Sequence, residues 1–374
     1  MPGARIVAVA DANWPRAIQV ARKIEGVVPY QDYRRLLERS DVDAIVTATP
    51  EQWRGRICIH ACQAGKDLYV EKPMSLTIHE GRQIAAAVRH YGRVFQTGSQ
   101  QRSMEPNRRG CELVRNGRLG KIQRVIAYSY PSPWLCDLPA HPVPEGTDWD
   151  LWCGPAPLTP YHPDLYAPRA NPGWLSFRHF SGGEMTGWGS HGFDQVQWAL
   201  GMDEAGPIEV WVEGEPLRPP TYTAPEPQAR GDELCRQPKV YFKYPNDIVM
   251  ELANGPAGGA IFVGDQGTLK IDRAVCQSNP VELAEEPLEN PPIPLPKSRN
   301  HLQNWLDCIK SRQRPIADVE IGHRSATVCH LGNIARYLGR RLRWDPVQEK
   351  FRDDPEANAW LDRPRRQGYE LPEI

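Results

Sequence analysis

Residues Asp67-Leu-Tyr-Val-Glu-Lys-Pro73 are the stretch from which the fold of this sequence is best deduced. The apolar residues in it favour a buried parallel strand, because such strands are covered on both faces of the sheet. Glu71 and Lys72 follow at the carboxyl end of the strand, where the proline stops the ladder. Open α/β sheets bind ligands just outside the carboxyl ends of their strands, so this acid and lysine are candidates for a functional site. An exposed charged turn is the competing interpretation.

Strand and helix patterns alternate on both sides of this stretch, up to about residue 98. Apolar runs typical of strands lie at 4–11, 42–50 and 93–98, and helical patterns lie at 14–25, 33–39, 55–64 and 78–90. This alternation predicts a parallel, doubly wound sheet of the Rossmann type. Residues 1–98 are therefore predicted to be a dinucleotide-binding α/β domain.

Asp11 ends the first of these strands, where a dinucleotide-binding fold holds the adenosine ribose hydroxyls. The glycine fingerprint normally stands about 20 residues before this acid. The residues before Asp11 contain one glycine, Gly3, so the first strand, the phosphate loop and the first helix are expected to be missing. Because the first strand is central in the usual order, the domain is predicted to be truncated, with a gap in its sheet. A start codon assigned too late is favoured over a degraded gene product, because the remainder reads as intact.

A second pattern begins after residue 98. Strands are predicted at 122–128, 208–212, 239–244, 248–252, 259–263 and 267–271, and helices at 107–116, 183–200, 302–310 and 322–338. Consecutive strands predict a mostly antiparallel sheet covered on one face by helices, which is an α+β domain. We assign residues 99–345 to this substrate-binding domain and residues 346–374 to a C-terminal tail.

Gly255-Pro-Ala-Gly258 has the spacing of the last two fingerprint glycines, but Ala253 stands where the first should be. A strand pattern follows it, whereas the fingerprint needs a helix whose N-terminus faces the pyrophosphate. We interpret this segment as a hairpin turn between two strands.

Composition excludes several classes of function. Lys plus Arg (45) nearly cancels Asp plus Glu (46), so nothing favours nucleic acid or an anionic membrane as a partner. No apolar run approaches the roughly 20 residues of a membrane span. The nine cysteines show no metal-ligand spacing, so no metal site is predicted. No signal peptide is visible at Met1, so a cytoplasmic location is expected unless an export signal lies in the missing segment.

Several short motifs, taken in order, resemble the Gfo/Idh/MocA-type dehydrogenases, the family of glucose–fructose oxidoreductase and inositol dehydrogenase. The matching segments are Val9-Ala-Asp11, Ala48-Thr-Pro50, Glu71-Lys-Pro73, Gly98-Ser-Gln-Gln-Arg102, Asp148-Trp-Asp-Leu-Trp-Cys-Gly-Pro-Ala-Pro157 and Gly189-Ser-His191-Gly-Phe-Asp194. Each segment is short, but their order and spacing are specific, and the resemblance covers about residues 4 to 345.

The resemblance implies NAD or NADP in the N-terminal domain and a sugar or polyol against the sheet of the second domain. It places Lys72 beside the nicotinamide and the reacting hydroxyl, and it identifies His191 as the family's histidine. Further cofactor-binding residues expected on this basis are Asp11, Thr49, Pro50, Trp53, Glu71 and Gln100. Substrate-binding residues expected on this basis are Arg102, Trp188 and His191. Asp11 favours NAD over NADP, because a carboxylate repels a 2′-phosphate, and Arg16 softens that preference.

Oxidation of a secondary alcohol needs a base for the hydroxyl proton. His191 suits this role because its ordinary pKa is about 6.5, and a desolvated Lys72 could relay the proton. The family's aspartate four residues before the histidine is absent, because Gly187 stands there. Asp194 or Glu184 on the same helical face could replace this acid, or the histidine acts unassisted.

Three functions remain open at this stage. The first is a dehydrogenase that transfers a hydride between a sugar or polyol hydroxyl and NAD(P). The second is an NAD-using glycoside hydrolase of the same superfamily, and the third is a catalytically impaired sugar-binding or interaction protein that lacks the phosphate loop. The resemblance also implies a homodimer or homotetramer formed through the second sheet.

Overall fold

The structure is a computed structural model that describes residues 3–167, 172–223 and 237–374. The N-terminal half contains β1 (Ala8–Ala10), α1 (Trp14–Ala21), β2 (Val28–Tyr30), α2 (Tyr33–Leu37), β3 (Ala44–Thr47), α3 (Glu51–Gln63), β4 (Asp67–Val70), α4 (Ile78–His90) and β5 (Phe95–Thr97). Strands and helices alternate throughout, and every strand pair in this half is parallel. The predicted Rossmann-like domain with a parallel sheet is therefore confirmed.

The N-terminal sheet is divided into two pieces. β1 pairs with β2, and β3, β4 and β5 form a separate ladder in that order. Within the described ranges no ladder joins β1 to β3, and this interruption lies where a dinucleotide-binding sheet has its central strand. One consequence is that Val46 on β3 is 64% exposed, although its strand is apolar. The gap predicted from the position of Asp11 is present.

β4 is the buried centre of the second piece. All four of its residues are buried, and α3 and α4 pack together beside it. The next helix, α4, is N-capped by Thr77, whose hydroxyl accepts a hydrogen bond of 3.1 Å from the backbone N of Glu80. Glu80 in turn accepts one from the backbone N of Leu76. The strand predicted from the opening stretch is therefore confirmed.

The C-terminal half is larger and also mixes helices with strands. Its elements are α5 (Glu105–Arg115), β6 (Ile122–Tyr128), β7 (Leu135–Cys136), α6 (Trp149–Cys153), α7 (Pro163–Tyr166), α8 (Glu184–Gly187), α9 (Gly189–Leu200), β8 (Glu209–Glu213), β9 (Thr221–Tyr222), β10 (Lys239–Lys243), β11 (Val249–Ala253), β12 (Ala260–Gly264), β13 (Thr268–Asp272), β14 (Val275–Asn279), α10 (Glu282–Glu285), α11 (His301–Ser311), α12 (Val319–Leu338), β15 (Leu342–Asp345), β16 (Lys350–Phe351) and α13 (Pro355–Asn358). The single helix predicted at 183–200 is thus two helices, α8 and α9, divided at Trp188.

A nine-stranded sheet organises this half. Its order is β14-β13-β12-β6-β11-β10-β8-β15-β16, and all neighbours are antiparallel except β6 and β11. α9 and α12 pack against its strands, and α5 packs against β13 and β14, so that alternate residues of the central strands enter the main core. The predicted mostly antiparallel sheet of an α+β domain is confirmed.

The predicted hairpin at residues 255–258 is wrong. β11 and β12 lie on opposite sides of β6, so the segment between them crosses over the end of that strand. Gly255 is needed for this crossing, because a Cβ there would lie 2.5 Å from the backbone O of Ile126. The sequence pattern of strand, turn and strand is the same for a hairpin and for a crossover, so it could not separate them.

The two halves are joined by α12 and by the last residues of the chain. α12 packs on α4 and on α9, and Arg82 of α4 pairs with Glu320 at 2.8 Å and with Glu349 at 2.7 Å. The end of the chain runs back along the N-terminal half, where Gln63 donates to the backbone O of Glu373. The boundaries at residues 98 and 345 stay predictions. Among the described residues, no helix combines the length and the apolar character that crossing a membrane requires.

Candidate active site

Lys72 lies just beyond β4, where the N-terminal sheet meets the C-terminal half. The peptide bond between Lys72 and Pro73 is cis. The lysine is 8% exposed, and its Nζ donates a hydrogen bond of 2.8 Å to the backbone O of Gly187 in α8. A strand end of the first half is therefore connected to a helix of the second half by a buried ammonium group.

Arg54 holds the two strand-end turns next to this lysine. Its guanidinium donates to the backbone O of Thr49 at 3.0 Å and of Glu71 at 2.9 Å, and also to that of Pro73. Arg54 is 3% exposed, and these backbone carbonyls accept the hydrogen bonds of its buried guanidinium. The same side chain therefore fixes the carboxyl ends of β3 and β4 relative to each other.

The start of α3 brings this arginine into position. The helix begins at Glu51, four residues before the predicted start at Gly55, and Pro50 is its N-cap residue. A proline next to a helix start was the signal in the sequence that could have placed it correctly. Glu51 was missed altogether: it is fully buried, and its carboxylate accepts a hydrogen bond of 2.8 Å from the Ser181 hydroxyl. Burial raises the pKa of this carboxyl.

Glu71 and Gln100, both predicted to bind the cofactor, lie together at the ends of β4 and β5. Gln100 Nε2 donates to Glu71 Oε1 at 2.9 Å and to the Tyr69 hydroxyl at 3.1 Å. Gly98 lies against the same carboxylate, since a Cβ there would be 2.7 Å from Glu71 Oε2. Burial, followed by the charge of Glu71, raises the pKa of Tyr69 to about 12, so its hydroxyl stays protonated at neutral pH.

His191 lies on α9, one helical turn after the Gly187 carbonyl that Lys72 contacts. Its side chain is 5% exposed, and the Trp188 ring packs edge-on against it with 5.7 Å between the ring centroids. The guanidinium carbon of Arg273 lies 4.9 Å from the centroid of the Trp188 ring. The structure therefore brings the predicted catalytic lysine to the end of α8, one turn before the predicted catalytic histidine on α9.

The Glu184 carboxylate occupies the space beside Gly187. A Cβ added to Gly187 would lie 2.7 Å from Glu184 Oε2, closer than real Cβ atoms come to their neighbours. The same oxygen accepts a hydrogen bond of 3.2 Å from the backbone N of Trp188. Residues three apart on a helix are neighbours, which explains why this glutamate reaches the position. A carboxylate is therefore present in the volume that an aspartate at position 187 would use.

Asp194 and Arg102 form a buried ion pair in the core. Both side chains are 1% exposed, and Arg102 Nε lies 2.9 Å from Asp194 Oδ2. Arg102 also pairs with Asp203 at 2.7 Å, and Asp194 accepts a hydrogen bond of 2.8 Å from the Ser325 hydroxyl. These pairings argue against a catalytic role for Asp194 and a substrate-binding role for Arg102, because both side chains are buried and engaged in ion pairs.

Trp53 packs against the C-terminal half. Its Nε1 donates to the backbone O of Leu151 at 3.0 Å and of Trp152 at 3.1 Å. Its ring fills the space beside Gly154, where a Cβ would overlap it. These contacts give Trp53 a packing role between α3 and the segment that follows Asp148, and its binding of the cofactor stays a prediction.

Thr49, Pro50 and Asp11 keep the positions that the sequence predicted for them. Thr49 and Pro50 form the half-buried turn after β3. Asp11 follows β1, and its carboxylate accepts a hydrogen bond of 2.9 Å from the backbone N of Asn13 and pairs with Arg16 at 3.4 Å. The strand-end turn and the acid therefore lie on the two separate pieces of the sheet.

These residues fit part of a dinucleotide. The polar cluster at the ends of β3, β4 and β5 suits the nicotinamide half, and Asp11 has the position of the acid that binds ribose hydroxyls. A pyrophosphate needs a glycine-rich turn between a strand and a helix N-terminus. In the part of the chain that the structure describes, no such turn leaves a strand of the N-terminal sheet.

Two family models match this chain. One, described as "Oxidoreductase family, NAD-binding Rossmann fold", matches residues 1–99. The other, described as "Oxidoreductase family, C-terminal alpha/beta domain", matches residues 113–371. Together they span both halves of the molecule and agree with the observed division between a parallel and a mostly antiparallel sheet.

Curated relatives match over shorter stretches. The scyllo-inositol 2-dehydrogenase (NAD(+)) of Bacillus subtilis (strain 168) is 32% identical over 122 residues, which is 32% of this chain and 35% of that protein. A glycosyl hydrolase family 109 protein of Shewanella baltica (strain OS155) is 40% identical over 94 residues, which is 25% of this chain and 17% of that protein. The matches thus span about a third or less of the length of these relatives.

Solved structures match over nearly the whole chain. The aldose-aldose oxidoreductase of Caulobacter crescentus, complexed with glycerol, superposes with a TM-score of 0.60 and 19% identity, covering 91% of each chain. This likeness shows a shared fold. With both domain models of one family matched in order, the chain belongs to the Gfo/Idh/MocA family of oxidoreductases.

Proposed function

We propose that this protein oxidises a secondary hydroxyl of a sugar or polyol, with NAD as the hydride acceptor. The observation that carries the proposal is the Lys72 ammonium, which lies at the carboxyl end of β4 and donates to Gly187, one turn before His191. A buried cation and an imidazole at the junction of a nucleotide-binding sheet and a second domain suit proton transfer from an alcohol. The inositol dehydrogenase among the relatives supports the substrate class.

In the proposed reaction His191 accepts the hydroxyl proton of the substrate. Lys72 holds its positive charge next to the reacting oxygen, which favours the alkoxide form while the proton leaves. A bound nicotinamide would take up the hydride from the carbon that carries this oxygen. Arg54 keeps the strand ends in register, so that the lysine meets the helix at a constant position.

Glu184 is the carboxylate that we assign to this site. It occupies the space beside Gly187, whereas Asp194 is held by Arg102. A carboxylate near an imidazole stabilises the imidazolium that forms when the proton is accepted. Of the three alternatives left open by the sequence, the position of Glu184 therefore favours the first-turn glutamate over Asp194 and over an unassisted histidine.

NAD rather than NADP is proposed because of Asp11. Its carboxylate would repel a 2′-phosphate, and the pairing with Arg16 at 3.4 Å moderates this preference. Trp188, half-buried beside His191, offers an aromatic face for the apolar side of a sugar ring. A homodimer or homotetramer through the uncovered face of the nine-stranded sheet is part of the same proposal.

The test is NADH formation by the 374-residue chain with a panel of inositols and sugars, together with calorimetric titration of NAD. We expect NADH with at least one polyol, and weak NAD binding because no phosphate loop is present among the described residues. Failure of every sugar and polyol to give NADH at saturating NAD would overturn the proposal. A preference for NADP would overturn only the role of Asp11.

An NAD-using glycoside hydrolase is the second candidate, and the match to the glycosyl hydrolase family 109 protein favours it. Such an enzyme oxidises its sugar transiently, so cofactor is reduced in a burst without net accumulation of NADH. Release of an aglycone from a chromogenic glycoside with no net NADH would favour this candidate. Binding of sugar without any binding of NAD would instead favour a non-catalytic protein, consistent with the interrupted sheet.

A further inference from the structure

A cavity of about 190 Å³ lies where three parts of the chain meet. Residues 76–78 of the N-terminal half form one wall, α12 and Arg178 form a second, and tail residues between 359 and 364 form a third. Lys72, Glu184 and His191 are not among the lining residues, so the cavity is separate from the candidate active site. Its volume is below the roughly 300–1,000 Å³ of sites for larger organic ligands.

Two guanidinium groups line this cavity. The guanidinium carbon of Arg178 lies 5.0 Å from the ring centroid of Tyr337 and 4.7 Å from that of Trp360, and these two rings stack on each other. Arg363 donates to the backbone O of Arg178, which brings the second cation beside the first. Within the described ranges, neither arginine forms an ion pair with a carboxylate.

The nearest acids are occupied by other groups. Asp362, which also lines the cavity, pairs with Arg365 at 2.7 Å and accepts from the Thr77 hydroxyl at 3.1 Å. Glu80 pairs with the same arginine at 2.9 Å, and Glu51 accepts hydrogen bonds from the segment around residue 181. Glu51 and Glu80 therefore act on Arg363 only from beyond ion-pair distance, and no carboxylate among the described residues pairs with either arginine of the cavity. Both arginines are half-buried, and a partly desolvated charge without an adjacent counter-charge costs free energy, so the site favours an anion.

Neutral groups complete the lining. The Tyr337 hydroxyl is buried and has no hydrogen-bond partner among the described residues, and burial raises its pKa, so it remains a proton donor. His330 Nε2 lies 3.2 Å from the backbone O of Ser75. Burial lowers the pKa of His330 to about 3, so at neutral pH it adds no further charge. Asn333 is held through its Nδ2 by a backbone carbonyl.

We propose that this cavity binds a small oxyanion, a phosphate or carboxylate group, between Arg178 and Arg363, with the Tyr337 hydroxyl as a third donor. Guanidinium groups suit this ligand because their paired N–H donors match the oxygens of phosphate and carboxylate. Because both halves and the tail contribute to the lining, the bound anion also holds the tail against α12.

The experiment measures binding of inorganic phosphate and, separately, of acetate to the full chain. Calorimetry and thermal unfolding are recorded at constant ionic strength, with chloride as the reference salt. We expect saturable binding of one anion and a rise in Tm that follows its concentration. A preference for phosphate identifies a phosphate group as the ligand, and a preference for acetate identifies a carboxylate. Absence of saturable binding of both anions would overturn the proposal.

Variants locate the site. Arg178→Met and Arg363→Met should each weaken binding by at least about tenfold, because each removes charged hydrogen bonds. Tyr337→Phe removes only the hydroxyl and should weaken binding by about threefold to tenfold in a chain that folds normally. Arg366→Met is the matched control, since this tail arginine pairs with Asp150 outside the cavity. Unchanged affinity in the Tyr337 variant and in both arginine variants would show that the anion binds elsewhere.

Discussion

The two sheets of this molecule differ in how completely their strands are paired. The nine-stranded sheet of the C-terminal half is one continuous ladder, and its alternate residues enter a single large core. The N-terminal sheet is in two pieces, and one of the strands next to the interruption exposes Val46. Each inner strand of the nine-stranded sheet is thus paired on both sides, whereas β1 and β3 each lack a neighbour at the interruption among the described residues.

The candidate active site lies where these two kinds of sheet meet. Lys72 leaves the piece formed by β3, β4 and β5 and contacts the helix that carries His191. α12 and the tail hold the same piece against the C-terminal half. Contacts with the C-terminal half therefore hold the N-terminal half in place, and with it the functional groups that it carries.

Replacement of Lys72 should have the largest effect. Lys72→Met is expected to lower kcat by about 10²- to 10³-fold, because it removes the cation that we propose stabilises the reacting oxygen. Steady-state NADH formation is the measurement. Lys66→Met is a matched control, since Lys66 is also 8% exposed and also donates to a backbone carbonyl at 2.8 Å. An equal loss in both variants would show that the lysine at the junction matters only for folding.

Breaking the buried ion pair of the C-terminal half should come next. Arg102→Met leaves Asp194 buried without its counter-charge, so the free energy of unfolding should fall by about 3–5 kcal/mol. Urea unfolding measures this change. Arg341→Met removes a half-exposed partner of Glu209 and should cost less than about 1 kcal/mol. An Arg102 variant with unchanged stability and a raised KM would restore the predicted substrate-binding role.

A pair of valine truncations compares the sheets directly. Val240 of β10 is fully buried, so Val240→Ala should lower the free energy of unfolding by about 1–3 kcal/mol. Val46 of β3 is 64% exposed, so Val46→Ala should change it by less than about 0.5 kcal/mol. Denaturant unfolding of both variants is the measurement. Similar losses would mean that β3 is covered in solution and that the contrast between the sheets is weaker than described.

The smallest expected effect concerns pH and the contact between α4 and α12. Burial would raise the pKa of Glu320, but the Arg82 guanidinium holds it at about 2. The unfolded chain takes up this proton near pH 4.5, so it binds more protons than the folded chain between about pH 4.5 and 2. The free energy of unfolding should therefore fall as the pH is lowered through this window.

Glu320→Gln tests this contribution. It should lower the free energy of unfolding at pH 7 by about 1 kcal/mol, a value that allows for solvent screening of a partly exposed group. It should also make the stability profile flatter between about pH 4.5 and 2. Thermal unfolding across this range is the measurement, and an unaltered acid limb would assign the pH dependence to other carboxylates.

Much of the fold could be predicted because local sequence patterns specify its strands and helices. The buried run before Glu71 predicted β4. The position of Asp11, directly after a short strand and close to Met1, predicted the interruption of the sheet. The segment at 255–258 was misjudged, because a turn between two strands looks the same whether they pair with each other or with a third strand.

Local sequence patterns were enough to place Lys72 at the end of a strand and His191 on a helix. Folding separated the two acids that could accompany the histidine. Asp194 and Glu184 were equivalent by helical spacing, but Arg102, 92 residues away along the chain, pairs with the first, and the absence of a side chain at Gly187 admits the second. Such choices depend on which groups meet after folding, and helical or strand periodicity carries no information about distant partners.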